Sequence, residues 1–399
     1  MIMRRITVLT LGFLTMVSQA EEPDEAYLAF LQSRGEESWI NANAEHPLAN
    51  SANRPIPALE TFAANPDKQA LGFQLFHETR LSRNGTVSCS SCHTGMMGGA
   101  DGQKLSRGVD GLFGVRNSPT VINSAFNFRQ FWDGRSFDLD SQSLQPISNP
   151  LEMGHDLDAA IQKLAAIPSY VEQFNALYPD GLTAANLGNA IAQHSRDMTR
   201  SDSRFNQQLS TGVATLTEQE QRGWQRFNDV GCASCHNGIN LGGNSYQKSV
   251  NVTPLSKTTM QATLDEGLFS RTGREQDYQV FKVPTLNNVA LTAPYFHDGS
   301  VNTLDEAVRQ MGQSHAGRNL SDSDVDDIVS FLGSLSSEFF GGMASHMGNM
   351  GMMNGMRGGM HQRMQQEMQN MHRQQQGHHM NHAQQHGADT DQARPMGRH

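Results

Sequence analysis

Cys89-Ser90-Ser91-Cys92-His93 and Cys232-Ala233-Ser234-Cys235-His236 decide how the rest of this chain is read. Each is a Cys-x-x-Cys-His run. In that spacing two thiols can add across the vinyl groups of one porphyrin, and the adjacent His meets the iron from one face. The two runs use all four cysteines of the chain. Structural zinc is the main alternative, because it too uses Cys-x-x-Cys pairs. A pair of disulfides is the second, but it gives no reason for a His after each pair. Two covalently attached haem c groups are therefore expected. His93 and His236 are their proximal ligands, and Cys89, Cys92, Cys232 and Cys235 their attachment points.

The N-terminus fits that chemistry. Met1-Ile2-Met3-Arg4-Arg5 is followed by an apolar run from Ile6 to Val17 and by Ser18-Gln19-Ala20. This reads as a secretory signal peptide spanning 1–20. The run is short for a membrane span, so the mature form is expected to be periplasmic, with no membrane span. The formal net charge is −10. With no basic patch evident, nucleic acid is an unsuitable partner, whereas an acidic surface suits a basic redox protein.

The chain divides by pattern. Residues 21–60 read as an N-terminal extension, 61–205 as a first haem domain and 206–338 as a second. Gln69–Phe76 has helical spacing and leads into the first Cys-x-x-Cys-His. Thr217-Glu218-Gln219-Glu220 resembles a capping box, and the helix after it leads into the second. Helical patterns also cover Leu157–Leu164, Asn186–Met198 and Ser321–Leu332, and strand signals are weak. The expected class is mainly α: two cytochrome-c-like lobes with long, Gly-rich loops. Residues 339–399 form a Met/His-rich tail. From Gly341 onward it holds 12 of the 21 Met and 8 of the 16 His, and it lacks the apolar residues for a core. Its plain reading is a disordered or partly helical tail. Its sharper reading is copper binding, since Met356, Met360, Met364 and Met368 recur every four residues and thioethers select Cu(I).

Several longer runs are more specific. Leu81-Ser82 and Asn84–Cys89 begin a set that continues through Arg116-Asn117-Ser118-Pro119-Thr120, Gln130-Phe131-Trp132-Asp133-Gly134-Arg135 and Asn149-Pro150-Leu151-Glu152-Met153-Gly154. Phe281–Asn288 and Ala293-Pro294-Tyr295-Phe296-His297-Asp298-Gly299-Ser300 complete it. In content and order these runs resemble the bacterial dihaem cytochrome c peroxidase family, over roughly residues 60–338. That group includes the dihaem enzymes that mature tryptophan tryptophylquinone.

The resemblance implies roles. Glu152 would move a proton during peroxide cleavage, which suits a carboxylate whose pKa burial has raised. Gln142 would order peroxide and water, and Pro146 would stand against the open face of the first haem. Trp132 would lie between the haems as an electron stepping stone. The second iron would take its sixth ligand from Met311, fourteen residues after His297, with nearby His315 as the competing ligand. A calcium ion would be bound by the Asn117 side chain and by the Thr292 and Pro294 carbonyls. Many relatives carry a blocking His sixteen residues after the first haem-binding His; here that position is Val109. The first haem is therefore expected to be open as isolated, unless Met96 or Met97 replaces the missing ligand.

The expected activity is periplasmic reduction of hydrogen peroxide to water. Electrons would come from a small c-type cytochrome or blue copper protein, enter at the second haem and pass near Trp132. A homodimer is implied by the family. The alternatives are oxidation of side chains on a partner protein and plain electron carriage. The tryptophan-modifying class has Tyr where Met311 stands, which favours the peroxidase.

Overall fold

The computed structural model describes residues 65–94, 98–249 and 265–337, together with Asn53, Pro55 and Ile56. The expected signal peptide, most of the extension, Met96 and Met97, and the tail with Met356, Met360, Met364 and Met368 lie outside the described residues.

Helix α1, Pro66–Phe76, starts where Asn65 accepts hydrogen bonds from the Asp67 and Lys68 amides, with Pro66 in the first turn. The short α2, Cys89–Cys92, carries the first haem motif. Then come α3 (Leu139–Ser148), α4 (Leu157–Ala165), α5 (Pro168–Leu177) and α6 (Ala184–Asp197). α1 and α3 both pack on α6. The crossings are close because two small residues allow it. A Cβ on Gly72 would strike the Ala190 carbonyl, and one on Gly188 would come within 2.6 Å of the Asp140 carbonyl. Leu71, Leu75, Ile147, Leu164, Phe174 and Leu187 are fully buried in this first core.

α7 (Arg204–Thr211) leads into a second core. α8, Glu218–Val230, opens on the expected capping box: the Glu220 amide donates to Thr217 Oγ1 and the Thr217 amide to Glu220 Oε2. It ends at Gly231, whose φ of 98° lies in the left-handed region and turns the chain into the second haem motif. β1 (Tyr246–Lys248) pairs antiparallel with β2 (Val280–Lys282), and between them lies the short α9, Phe269–Thr272. α10 (Leu304–Ser314) and α11 (Asp322–Gly333) complete the described chain. α8 packs on α11, with Gly223 against the Asp327 carbonyl. Phe205, Trp224 and Phe227 surround buried Phe331, with ring centroids 5.0–5.4 Å from it. Among the described residues no helix is long and apolar enough to cross a membrane.

The two halves repeat at a constant interval. Asn123 and Asn288 both have left-handed φ, as do Phe131 and Phe296. Isolated bridges Gln130–Ser136 and Tyr295–Val301 match, and α3 and α10 begin at Leu139 and Leu304. Each pair is 165 residues apart. The halves also clasp reciprocally. The Asn117 amide donates to the His297 carbonyl at 2.7 Å, and the Lys282 amide to the Trp132 carbonyl at 2.8 Å. Asn117 and Lys282, and Trp132 and His297, are themselves equivalent positions of the repeat.

Candidate active site

Each Cys-x-x-Cys-His run sits in a short helical turn with its His held alike. His93 Nδ1 donates to the Gly99 carbonyl at 3.2 Å, and His236 Nδ1 to the Leu241 carbonyl at 3.3 Å. This fixes the tautomer and leaves Nε2 as the ligating atom. Burial lowers the pKa of His93, and that of His236 to about 4, so both rings are neutral and able to bind iron. No disulfide joins any of the four cysteines. Among the described residues no cluster of three or more His, Cys, Asp or Glu is placed to hold a metal ion, so structural zinc has no site there. A cavity of about 470 Å³ opens beside the second motif, lined by Cys232, Cys235, His236, Met311, Trp132 and Lys282. Thiols, a neutral imidazole, a thioether and a large, mostly apolar wall fit a haem.

Met311 lies on α10 and lines this cavity. His315 stands one turn further on at the helix end, and its Nε2 donates to the Lys248 carbonyl at 3.2 Å. Both side chains line the cavity, but the imidazole Nε2 is committed to a backbone carbonyl, whereas the thioether sulfur has no such partner to displace.

In the first half, α3 holds Gln142 and Pro146 one turn apart on one face, both half-buried. Pro146 occupies the position that Met311 holds in α10. It offers no ligand atom, and its missing N–H leaves the Gln142 carbonyl without its helical donor. Asn149 ends α3 and organises the next turn. Its carbonyl accepts from the Glu152 and Gly154 amides, and its Nδ2 donates to Glu152 Oε1 at 2.6 Å. Burial raises the Glu152 pKa, opposed by the Arg135 charge and by the Asn149 hydrogen bond. Burial raises the thiols of Cys89 and Cys92, with Cys92 and Asp101 respectively adding to it and the Glu152 charge a smaller contributor to both.

Val109 is fully buried in the first core. Its amide donates to the Glu152 carbonyl at 2.8 Å. A Cβ on the preceding Gly108 would meet the Leu151 and Glu152 carbonyls. The loop carrying Val109 is thus docked against the Glu152 turn, with valine facing the core.

Trp132 Nε1 donates to the Asn117 carbonyl at 2.9 Å. Its ring stands edge-on to His297 at 6.3 Å, and His297 stacks on Phe281 at 4.1 Å. Asn117 is buried, and its Nδ2 donates to the Gln103 carbonyl at 2.9 Å, which turns its Oδ1 the other way. Thr292 and Pro294 lie on the loop that leads to Tyr295. Asn149, Arg135 and Lys282 stand inside the motif runs, but their roles depend on contacts that no spacing displays.

This geometry agrees with known proteins. Residues 66–213 match the family model described as di-haem cytochrome c peroxidase, and 220–336 match that of cytochrome c. The cytochrome c peroxidase Ccp of Escherichia coli K12 is 40% identical over 326 residues, covering 80% of this chain and 68% of that protein. The chain belongs to the dihaem cytochrome c peroxidase family. The cytochrome c551 peroxidase of Nitrosomonas europaea is also 40% identical, over 72% of this chain and 86% of its own. A solved MauG-like protein associated with microbial copper homeostasis is 28% identical, with a TM-score of 0.62 over 74% of this chain and 96% of its own. Two haem c groups and a mainly helical, dihaem-peroxidase-like fold follow from that membership.

Proposed function

We propose that this family member is a periplasmic peroxidase that reduces hydrogen peroxide to water with electrons from a small c-type cytochrome or blue copper protein. The observation that carries the reading is the inequality of the two halves. One position of the repeat is Met311, in the cavity beside the second haem motif, and in the first half it is Pro146, with Glu152 following on the next turn. When bound, the first haem iron supplies an open site for peroxide and the second a closed site for electron storage.

The chain's own residues do the rest. Glu152 accepts the proton of the near peroxide oxygen and delivers it to the departing one. Asn149 holds one carboxylate oxygen and so aims the other. Gln142, one turn before Pro146, orders the small polar molecules there. Met311 would hold the second haem iron, and Trp132 bridges the halves through His297 and Phe281. Asn117 Oδ1 with the Thr292 and Pro294 carbonyls would hold calcium. These are neutral, hard oxygen donors, whose remaining coordination water would fill. Pairing of two chains is carried over from the family. The test of the reading is steady-state oxidation of reduced cytochrome c by peroxide; absence of turnover above free haem would remove it.

Val109 sharpens this into an expected result. The fully oxidised protein should show a high-spin or water-bound first haem, and should turn over peroxide at its full rate without prior reduction. Electronic and electron paramagnetic resonance spectra check the first point, and stopped-flow comparison of oxidised and half-reduced protein the second. A wholly low-spin oxidised spectrum would show that another ligand has replaced the blocking His.

A second reading is oxidation of side chains on a partner protein. Val109 and the 28% identical MauG-like structure favour it, while Met311 argues against it. We also propose that the Met/His-rich tail binds Cu(I). The full chain should then bind more Cu(I) than a chain ending at residue 338, and equal stoichiometry in a competition titration would refute this.

A further inference from the structure

Lys282 carries a buried charge that no described carboxylate answers. It ends β2, is only 7% exposed and lines the cavity beside the second haem motif. Burial is the sole cause acting on its ammonium, which falls to about 8. Several other buried charges among the described residues are paired: Asp133 with Arg116 and Arg135, Glu220 with Arg204, Asp277 with Arg274. An ammonium left unpaired in such a place is costly, so a matching anion is expected to enter with whatever fills the cavity. A haem brings two carboxylates of its own.

We infer that the Lys282 ammonium pairs with a carboxylate of the second haem and raises that haem's reduction potential. Reduction lowers the iron charge by one, and a nearby fixed positive charge favours the form with less positive charge. The equivalent residue in the first half is Asn117, which carries no charge of its own. The Lys282 amide donates to the Trp132 carbonyl, which holds β2 in place beside the boundary between the halves. The inference rests on the second haem alone, not on the peroxidase reading.

The test is a spectroelectrochemical titration of the holoprotein. In Lys282→Gln the reduced-to-oxidised ratio of the second haem at a fixed poise should fall about tenfold, equal to 59 mV for one electron. Lys282→Arg should stay within about twofold of the original protein. A wild-type potential in Lys282→Gln, with the six-coordinate spectrum intact, would overturn the inference. If Lys282→Gln does not take up haem, redox-difference infrared spectra of the unaltered protein decide. An ionised haem carboxylate band that shifts on reduction supports the pairing, and a protonated one overturns it. Neither readout depends on peroxide turnover, so failure here leaves the turnover assay to judge the proposed activity separately.

Discussion

Glu152→Gln is expected to lower peroxide turnover by about 100- to 10,000-fold, the range typical of a positioned proton-transfer group, while both haem spectra stay unchanged. The amide keeps the shape and can still meet the Asn149 side chain, but it cannot accept a proton. Stopped-flow mixing with peroxide should therefore show binding without cleavage. The pH dependence has a defined sign. Burial raises the Glu152 pKa, against the lowering influence of Arg135 and Asn149. The ionised form is the one that accepts the proton. Turnover should thus fall as pH drops through this pKa, and the acid limb should lie above the ordinary carboxylate range. Glu152→Gln should abolish that limb. An unchanged rate in Glu152→Gln would show that another group moves the proton.

The second large effect is expected at Met311. Met311→Ala removes the thioether that faces the second cavity, and a shortened side chain at that point admits water. Loss of a Met ligand lowers the potential, because thioether ligation favours ferrous iron. Axial ligation moves haem potentials over a range of about 0.8 V, and about 59 mV is tenfold for one electron. Turnover with a cytochrome donor should fall about 100-fold or more. The methionine-to-iron charge-transfer band should disappear from the oxidised spectrum, while peroxide still binds at the first haem. A retained band would assign the ligand to another side chain, with His315 the nearest candidate, although its Nε2 is spent on the Lys248 carbonyl.

Much of this was legible in the chain, for local reasons. The haem motifs are contiguous, and so are the capping box at Thr217 and the acid-rich start of α11. Each needs only neighbours in sequence, and each stands where its pattern predicts. α3 and α10 were not singled out as helices. α3 contains Pro146, and α10 carries polar Gln310, Gln313 and Ser314 toward its end. Their helical state depends on packing, with α3 against α6 and α10 against α11. The strand pair 246–248 and 280–282 was also beyond local reading, because three-residue strands gain their order from the partner. In the site, Glu152 and Met311 came from motif resemblance. The reason Glu152 has a raised pKa comes from burial and from the positions of Asn149 and Arg135, which only the folded chain displays. Lys282 shows the same limit more sharply: a lysine inside Phe-Lys-Val-Pro-Thr reads as ordinary until its burial is known.

The reciprocal bonds from Asn117 to His297 and from Lys282 to Trp132 bear on how this molecule could have arisen and what it could now lose. In each half the amide two residues before a proline, at Asn117 and at Lys282, is satisfied by a carbonyl of the other half. A lone ancestral unit would have had to find that acceptor in a second copy of itself. In the single chain the two bonds make the dependence mutual, so cutting the chain between the halves exposes both amides at once. The boundary between them can be drawn along the chain, but the smallest heritable unit is the pair.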